Sequence, residues 1–210
     1  MAVSFNSPIT IPDGTITNAA VASNAGIEAS KLESRSSQRK PVALTSMRVW
    51  DAFHTVLPAT SAADDLALIT GTWGTDTPTL QTSDLKAAGA TTRYAAFELE
   101  VPHDYQDGQA FQVRLRGGMV TTVADTSATV DLEVYKPDLD GAVGSDLCQT
   151  GNATINSLTK ANVDFTVLAT GIDPGDKLLC RIAVAVNDAA TGTAVIAEVS
   201  NVEARYTSQG

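Results

Sequence analysis

Histidine and cysteine are nearly missing from this chain, which holds two of each: His54, His103, Cys148 and Cys180. A structural zinc site needs four nitrogen or sulfur ligands brought together. Neither cysteine has a CxxC neighbour and both histidines lie far away in sequence, so no metal site is expected. No Ser or Cys sits in a recognisable nucleophile elbow, and His103 beside Asp104 and Tyr105 lies in a turn-forming stretch with no nucleophile to serve. The glycines form neither GxGxxG nor GxxxxGK[ST], which removes the phosphate-binding loops. The expectation is a protein that is not an enzyme, with no catalytic, cofactor-binding or metal-binding residues. No run approaches 18 apolar residues, so neither a membrane-spanning helix nor a membrane partner is expected. The opening MAVSFNSPIT lacks the basic and apolar regions of a secretory signal, and export by that route is not expected. Aromatic residues make up only 5% of the chain.

What fills the 210 residues instead is Ala, Thr, Val, Ser and Gly, small and β-branched types suited to a pleated surface. The formal net charge of −10 argues against nucleic acid as a partner. That charge is unevenly spread. Residues 1–50 carry Lys31, Arg35, Arg39, Lys40 and Arg48 against Asp13, Glu28 and Glu33, so a mildly basic segment precedes a strongly acidic remainder. Solubility and chance explain this as well as a basic arm lying on an acidic surface does.

Residues 1–46 read as an extended, mostly irregular N-terminal arm. Thr10–Asn18 combines Pro and Asp-Gly turn chemistry with isolated β-branched residues. Ala19–Leu32 (AAVASNAGIEASKL) has only Val21, Ile27 and Leu32 as large apolar residues, enough at most for a short helix near Ile27–Ser34. Glu33–Lys40 (ESRSSQRK), closed by Pro41, has linker composition. Such a segment buries too little apolar area to offset the entropy of ordering it, so a partner surface is its expected support.

From Met47 the pattern turns to period two, and residues 47–210 read as one β lobe. Met47–Leu57 is the first candidate strand and Leu66–Thr70 a shorter one. Phe97, Leu99 and Val101 alternate with Glu98 and Glu100. Phe111, Val113 and Leu115 alternate with charged or polar neighbours until Gly117-Gly118, expected to end the run. Val130, Leu132 and Val134, and then Val163, Phe165 and Val167, form further inward sets. The strongest pattern is Leu178, Cys180, Ile182, Val184 and Val186, with Arg181 on the opposite face. A last strand over Thr193–Tyr206 shifts phase near Ser200-Asn201, which predicts a bulge. Seven or eight antiparallel strands with Gly/Pro/Asp turns, and no amphipathic helix between them, predict an all-β fold: an antiparallel β-sandwich or jelly roll. Cys180 falls on the inward face, where a thiol behaves as a small hydrophobe. Two free thiols are expected, with one Cys148–Cys180 disulfide the alternative.

Asp138-Leu-Asp-Gly141 has the start of a calcium loop without its remaining acidic ligands, and reads as an Asp-Gly turn. Trp50, Trp73, Tyr94, Tyr105, Tyr135 and Tyr206 are the candidate sugar-stacking rings. Tyr94 and Tyr135 are expected on the polar faces of their strands and Trp73 in a loop. Rings covering core edges or subunit contacts are the commoner arrangement, and an exposed cluster is what would mark a glycan patch.

Thr15–Leu32 (TITNAAVASNAGIEASKL) resembles a segment of virion proteins of tailed bacteriophages, of the form T-x-T-N-A-x-[IV] followed by I-x-A-S-K-L. Tail fibres, head fibres and capsid decoration proteins carry it. More loosely, Glu100-Val-Pro-x-x-Tyr-x-x-Gly108, Val134-Tyr135 and Pro174-Gly-Asp-x-Leu178 are similar to jelly-roll modules of head-fibre and decoration proteins. The resemblance implies a capsid-bound homotrimer, assembled in the host cytoplasm and located on the virion, with the major capsid protein as partner. It carries over no catalytic or metal-binding residue. The short chain, without a fibrous shaft, and the basic arm on an acidic lobe favour a capsid decoration (cement) or head-fibre protein. Val21, Ile27, Leu32, Arg35, Arg39 and Lys40 are then the expected capsid-contact residues of the arm. The alternative is a tail-associated adhesin module that binds a receptor or glycan.

Overall fold

The computed structural model describes residues 36–138, 140–189 and 192–209. The chain divides into two units, and the lobe is the one spanning Arg35–Gln209. The helix expected near Ile27–Ser34, and Val21, Ile27, Leu32 and Arg35, lie outside the described residues.

The described residues contain ten strands, the longer of them built on alternating buried and more exposed residues. They are β1 (Ser36–Pro41), β2 (Ala67–Ile69), β3 (Thr79–Gln81), β4 (Gly89–Glu100), β5 (Phe111–Met119), β6 (Ser127–Tyr135), β7 (Ala153–Thr154), β8 (Ala161–Val167), β9 (Lys177–Asp188) and β10 (Ala197–Ser208). Every strand pairing is antiparallel. One sheet runs β2-β3-β10-β5-β8, with β1 also on β10; the other runs β4-β9-β6-β7. The protein is an antiparallel β-sandwich of jelly-roll type. Phe97, Phe111, Leu115, Leu132, Phe165 and Ile182, all essentially without solvent contact, lie in one continuous core. Their burial is the main driving force for the fold.

The first strand departs from the linker reading. Ser36–Pro41 (SSQRKP) pairs along β10 from Ser36↔Ser208 to Pro41↔Glu203. It has no large apolar residue because it buries none, and its hydrogen bonds come from a strand at the other end of the chain. Leu44, in a 3-10 turn at Leu44–Ser46, joins the core as well. Residues 36–46, expected in the arm, therefore belong to the lobe.

Met47–Leu57 is not a strand. Met47, Val49 and Leu57 are buried, but the chain folds back between them: the Thr55 amide donates to Ala52 O (2.7 Å) and the Val49 amide to Thr55 O (3.0 Å). Strand β5 continues through Gly117-Gly118 to Met119. A Cβ at Gly117 would lie 3.0 Å from Ile155 Cγ2, and one at Gly118 would lie 3.0 Å from Ser157 O, so these glycines admit the segment crossing over them. The expected bulge is present, as a register shift between Val199 and Asn201.

Candidate functional site

The outward face of the β4-β9-β6 sheet is set by register. Ala96, Arg181 and Glu133 stand in one cross-strand row, and Glu98, Leu179 and Tyr135 in the next. Arg181 is the lone charge within a run of apolar residues, and at the centre of the sheet its guanidinium meets groups from both sides. Its Nε and Nη2 donate to the two carboxylate oxygens of Glu133, each at 2.8 Å. Its guanidinium carbon lies 4.7 Å from the Trp50 ring centroid and 4.9 Å from that of Tyr94. The two rings are 5.3 Å apart, tilted at 49°.

Trp50 is brought over this face from outside the sheet. Arg48 and Ala96 exchange backbone hydrogen bonds of 2.8 and 2.9 Å at the edge of β4, and the indole Nε1 donates to Asp64 Oδ2 at 3.0 Å. Asp64 is itself fixed, since the Tyr94 amide donates to its carbonyl at 2.7 Å. The Trp50 ring is therefore held on one edge by a hydrogen bond and on one face by a cation.

A groove of about 490 Å³ results, lined by Ala96, Arg181 and Glu133 of the sheet and by the rings of Trp50, Phe53 and Tyr135. From β4 to β6 is two strand spacings, roughly 9–10 Å. Phe53 is 38% exposed, and Trp50, Tyr94 and Tyr135 are half-buried. The hydrogen bonds with Glu133 hold Arg181 above its ordinary pKa, while burial, and then the Glu133 charge, raise the Tyr135 phenol. At neutral pH the groove thus contains a paired guanidinium and carboxylate beside a neutral phenol.

No family model matches the chain, and no curated protein does either. Among solved structures, it is similar to the xylan-binding module CBM15, at TM-score 0.45 and 11% identity over 83% of this chain and 100% of that one. It is also similar to the CBM22-1 xylan-binding domain from Paenibacillus barcinonensis Xyn10C, at TM-score 0.39 and 10% identity over 70% and 83% of the two chains. A chain of infectious bursal disease virus, Gx strain, is similar at TM-score 0.40 and 11% identity over 83% of this chain and 32% of that one.

The other aromatic candidates part company. Tyr105 is fully buried, donates to Gln109 O and stands edge-on to Phe111 at 5.5 Å. Tyr206 stacks on Phe111 at 6.4 Å and donates to Asp104 Oδ1 at 3.1 Å. Both rings complete the core edge. Trp73 stands in a loop, fully exposed.

Of the two arm residues that are described, Arg39 is exposed opposite Arg205, and Lys40 donates to the Glu100 carbonyl at 3.2 Å. His103 is solvated and its Nε2 lies 3.4 Å from Glu100 Oε1. Asp138 Oδ1 accepts from the Asp140 and Ala142 amides at 2.9 and 2.8 Å, the hydrogen-bonding of a turn. Among the described residues no group of three or more His, Cys, Asp or Glu is placed to hold a metal ion. No described helix is long and apolar enough to cross a membrane. Both cysteines are free thiols; burial pushes Cys148 up to about 11 and Cys180 higher still.

Proposed function

We propose that the lobe is a non-catalytic carbohydrate-binding module of a virion protein. The observation that carries this reading is the groove on the β4-β9-β6 face. Trp50, Phe53 and Tyr135 line it together with Arg181 and Glu133, which are already paired. Sugar rings present weakly positive C–H groups on their faces and hydroxyls at their rims. Aromatic walls attract the first, and a fixed carboxylate, guanidinium and phenol exchange hydrogen bonds with the second. The Trp50 ring is held in place before a ligand arrives, which lowers the entropy cost of binding. Affinity electrophoresis of the full chain through gels containing soluble polysaccharides tests the reading. Retardation by at least one polymer is expected, with a loss of tenfold or more in Trp50→Ala and in Tyr135→Ala. Uniform migration through every gel sinks it.

A second reading, capsid decoration, is favoured by one observation, the resemblance of Thr15–Leu32 to phage virion segments. In that reading residues 1–35 fasten the protein to the head, with the major capsid protein as partner and a homotrimer as the bound form. Co-sedimentation with undecorated heads tests it. The full chain should pellet with the heads, and a chain starting at Ser36 should stay in the supernatant while keeping its melting transition. Equal pelleting of both removes the arm as anchor.

A further inference from the structure

The loop between β2 and β3 presents the most exposed large apolar side chain of the described lobe. Trp73 has a relative exposure of 100%, yet the turn beneath it is closely tied. The Thr75 and Asp76 amides donate to Thr72 O at 3.1 and 2.9 Å, and the Thr72 amide donates to Asp76 Oδ2 at 2.8 Å. Gly71 has φ +63°, and a Cβ there would fall 2.3 Å from Asp76 Cβ, so only glycine lets the turn close. The indole is thus held out in water by a hydrogen-bonded frame.

Its surroundings say what it suits. A cavity of about 670 Å³ beside it is lined by Thr70, Thr75, Thr77, Asp76 and Pro78 among others, with no Lys, Arg or His. The side-chain hydroxyls of Thr70, Thr75 and Thr77 make no hydrogen bond within the described protein. The one lining carboxylate, Asp76, is occupied by the Thr72 amide. None of the other exposed large apolar side chains of the described lobe belongs to this loop. A single ring is far too little apolar area for a protein interface, which needs roughly 800 Å² per partner. A flat ring ringed by free hydroxyls, with no cation to hold a carboxylate, sulfate or phosphate, matches one uncharged sugar.

We propose that the Gly71–Pro78 turn is a second carbohydrate-contact site, selective for neutral polysaccharide and separate from the Trp50 groove. It rests on the reading of the lobe as a carbohydrate-binding module. Two sites on one lobe bind a long polymer together, so the second acts as an intramolecular event that strengthens retention without a new groove contact.

The test uses the full chain, with Trp73→Ala, Trp73→Tyr and Trp50→Ala, in gels containing a xylan, a galactomannan, a β-glucan or polygalacturonate. Trp73→Ala should lose about tenfold in affinity for the neutral polymer retained by the parent, while its affinity for a short oligosaccharide of that polymer stays unchanged. Trp73→Tyr should recover most of the loss, and the melting temperature should not move. Three outcomes overturn the proposal. If Trp73→Ala equals the parent while Trp50→Ala abolishes binding, the second site fails and the groove stands. If polygalacturonate is held as tightly as the neutral polymers, the selectivity fails. If Trp73→Ala changes the mass seen by light scattering and not the retention, the ring is a protein contact. Retention of no polymer by the parent overturns the groove reading and this one together.

Discussion

Replacing Arg181 by Met removes the guanidinium and keeps a stem of similar length, so the change isolates what the charge contributes. The side chains of Arg181 and Glu133 are 28% and 30% exposed, which makes theirs a partly screened pair. A two-point pair at this exposure contributes at the upper end of the surface range, about 1 kcal/mol. The contacts with the Trp50 and Tyr94 rings, at 4.7 and 4.9 Å, add about 0.5–1 kcal/mol between them, since one cation serves both. The expected loss is therefore about 1.5–2 kcal/mol. With a urea dependence of roughly 2 kcal/mol per molar, the midpoint should fall by about 0.7–1 M. Urea titration followed by far-ultraviolet circular dichroism reads the shift. The double variant Arg181→Met/Glu133→Gln should fall short of additivity by about 0.5–1 kcal/mol, the signature of direct coupling. A loss under about 0.3 kcal/mol, or strict additivity, would refute the claim that Arg181 organises the face.

Three further outcomes are expected. Arg114 donates to Asp164 at 2.5 and 2.6 Å across β5 and β8, and those hydrogen bonds hold the Asp164 carboxyl below its ordinary range. A depressed folded pKa gives stability that is present above the unfolded value, about 3.9, and is lost as pH falls through the folded one. The melting-temperature gap between the parent and Asp164→Asn should accordingly be open at pH 6 and narrow below pH of about 4; a constant gap contradicts it. Thiol titration should count two thiols per denatured chain, and native protein should react slowly because burial holds Cys148 at about 11 and Cys180 higher; a count of zero would mean a disulfide. Ile182→Ala, at the fully buried centre of β9, should cost about 2–5 kcal/mol by calorimetry or urea titration, and a loss below 1 kcal/mol would show a core that collapses easily.

How legible each element is in the sequence depends on how it is stabilised. Along Leu178–Val186 the large aliphatic residues and Cys180 recur at every second position, matching the unbroken alternation of burial in β9, which lies between two neighbours with one face wholly inside. Ser36–Pro41 carries no such signal, since an edge strand that buries no large side chain leaves no hydrophobic trace. Thr79–Gln81 and Ala153–Thr154 are too short to establish a period. Met47–Leu57 misleads for the opposite reason. Its apolar residues are buried, but from a folded-back loop whose hydrogen bonds are local. The outward placement of Tyr94 and Tyr135 is legible from strand phase. Their convergence with Trp50, Glu133 and Arg181 is not, because it depends on the register of three strands far apart in the chain. The lone charge of Arg181 in its apolar strand is the available clue.

The pairing of β1 with β10 has a mechanical consequence. Ser36 sits opposite Ser208, so these two positions, far apart in sequence, are neighbours about 5 Å apart between α-carbons. The six-residue β1 is joined to the body by its pairing along β10 and by Lys40, which donates to the Glu100 carbonyl. Drawn along the strand axis, those bonds are loaded together and resist as a group. Drawn away from β10, they are loaded one after another, and no large apolar side chain of β1 opposes the separation. β1 can therefore part from β10 without drawing a large apolar side chain of its own out of the core.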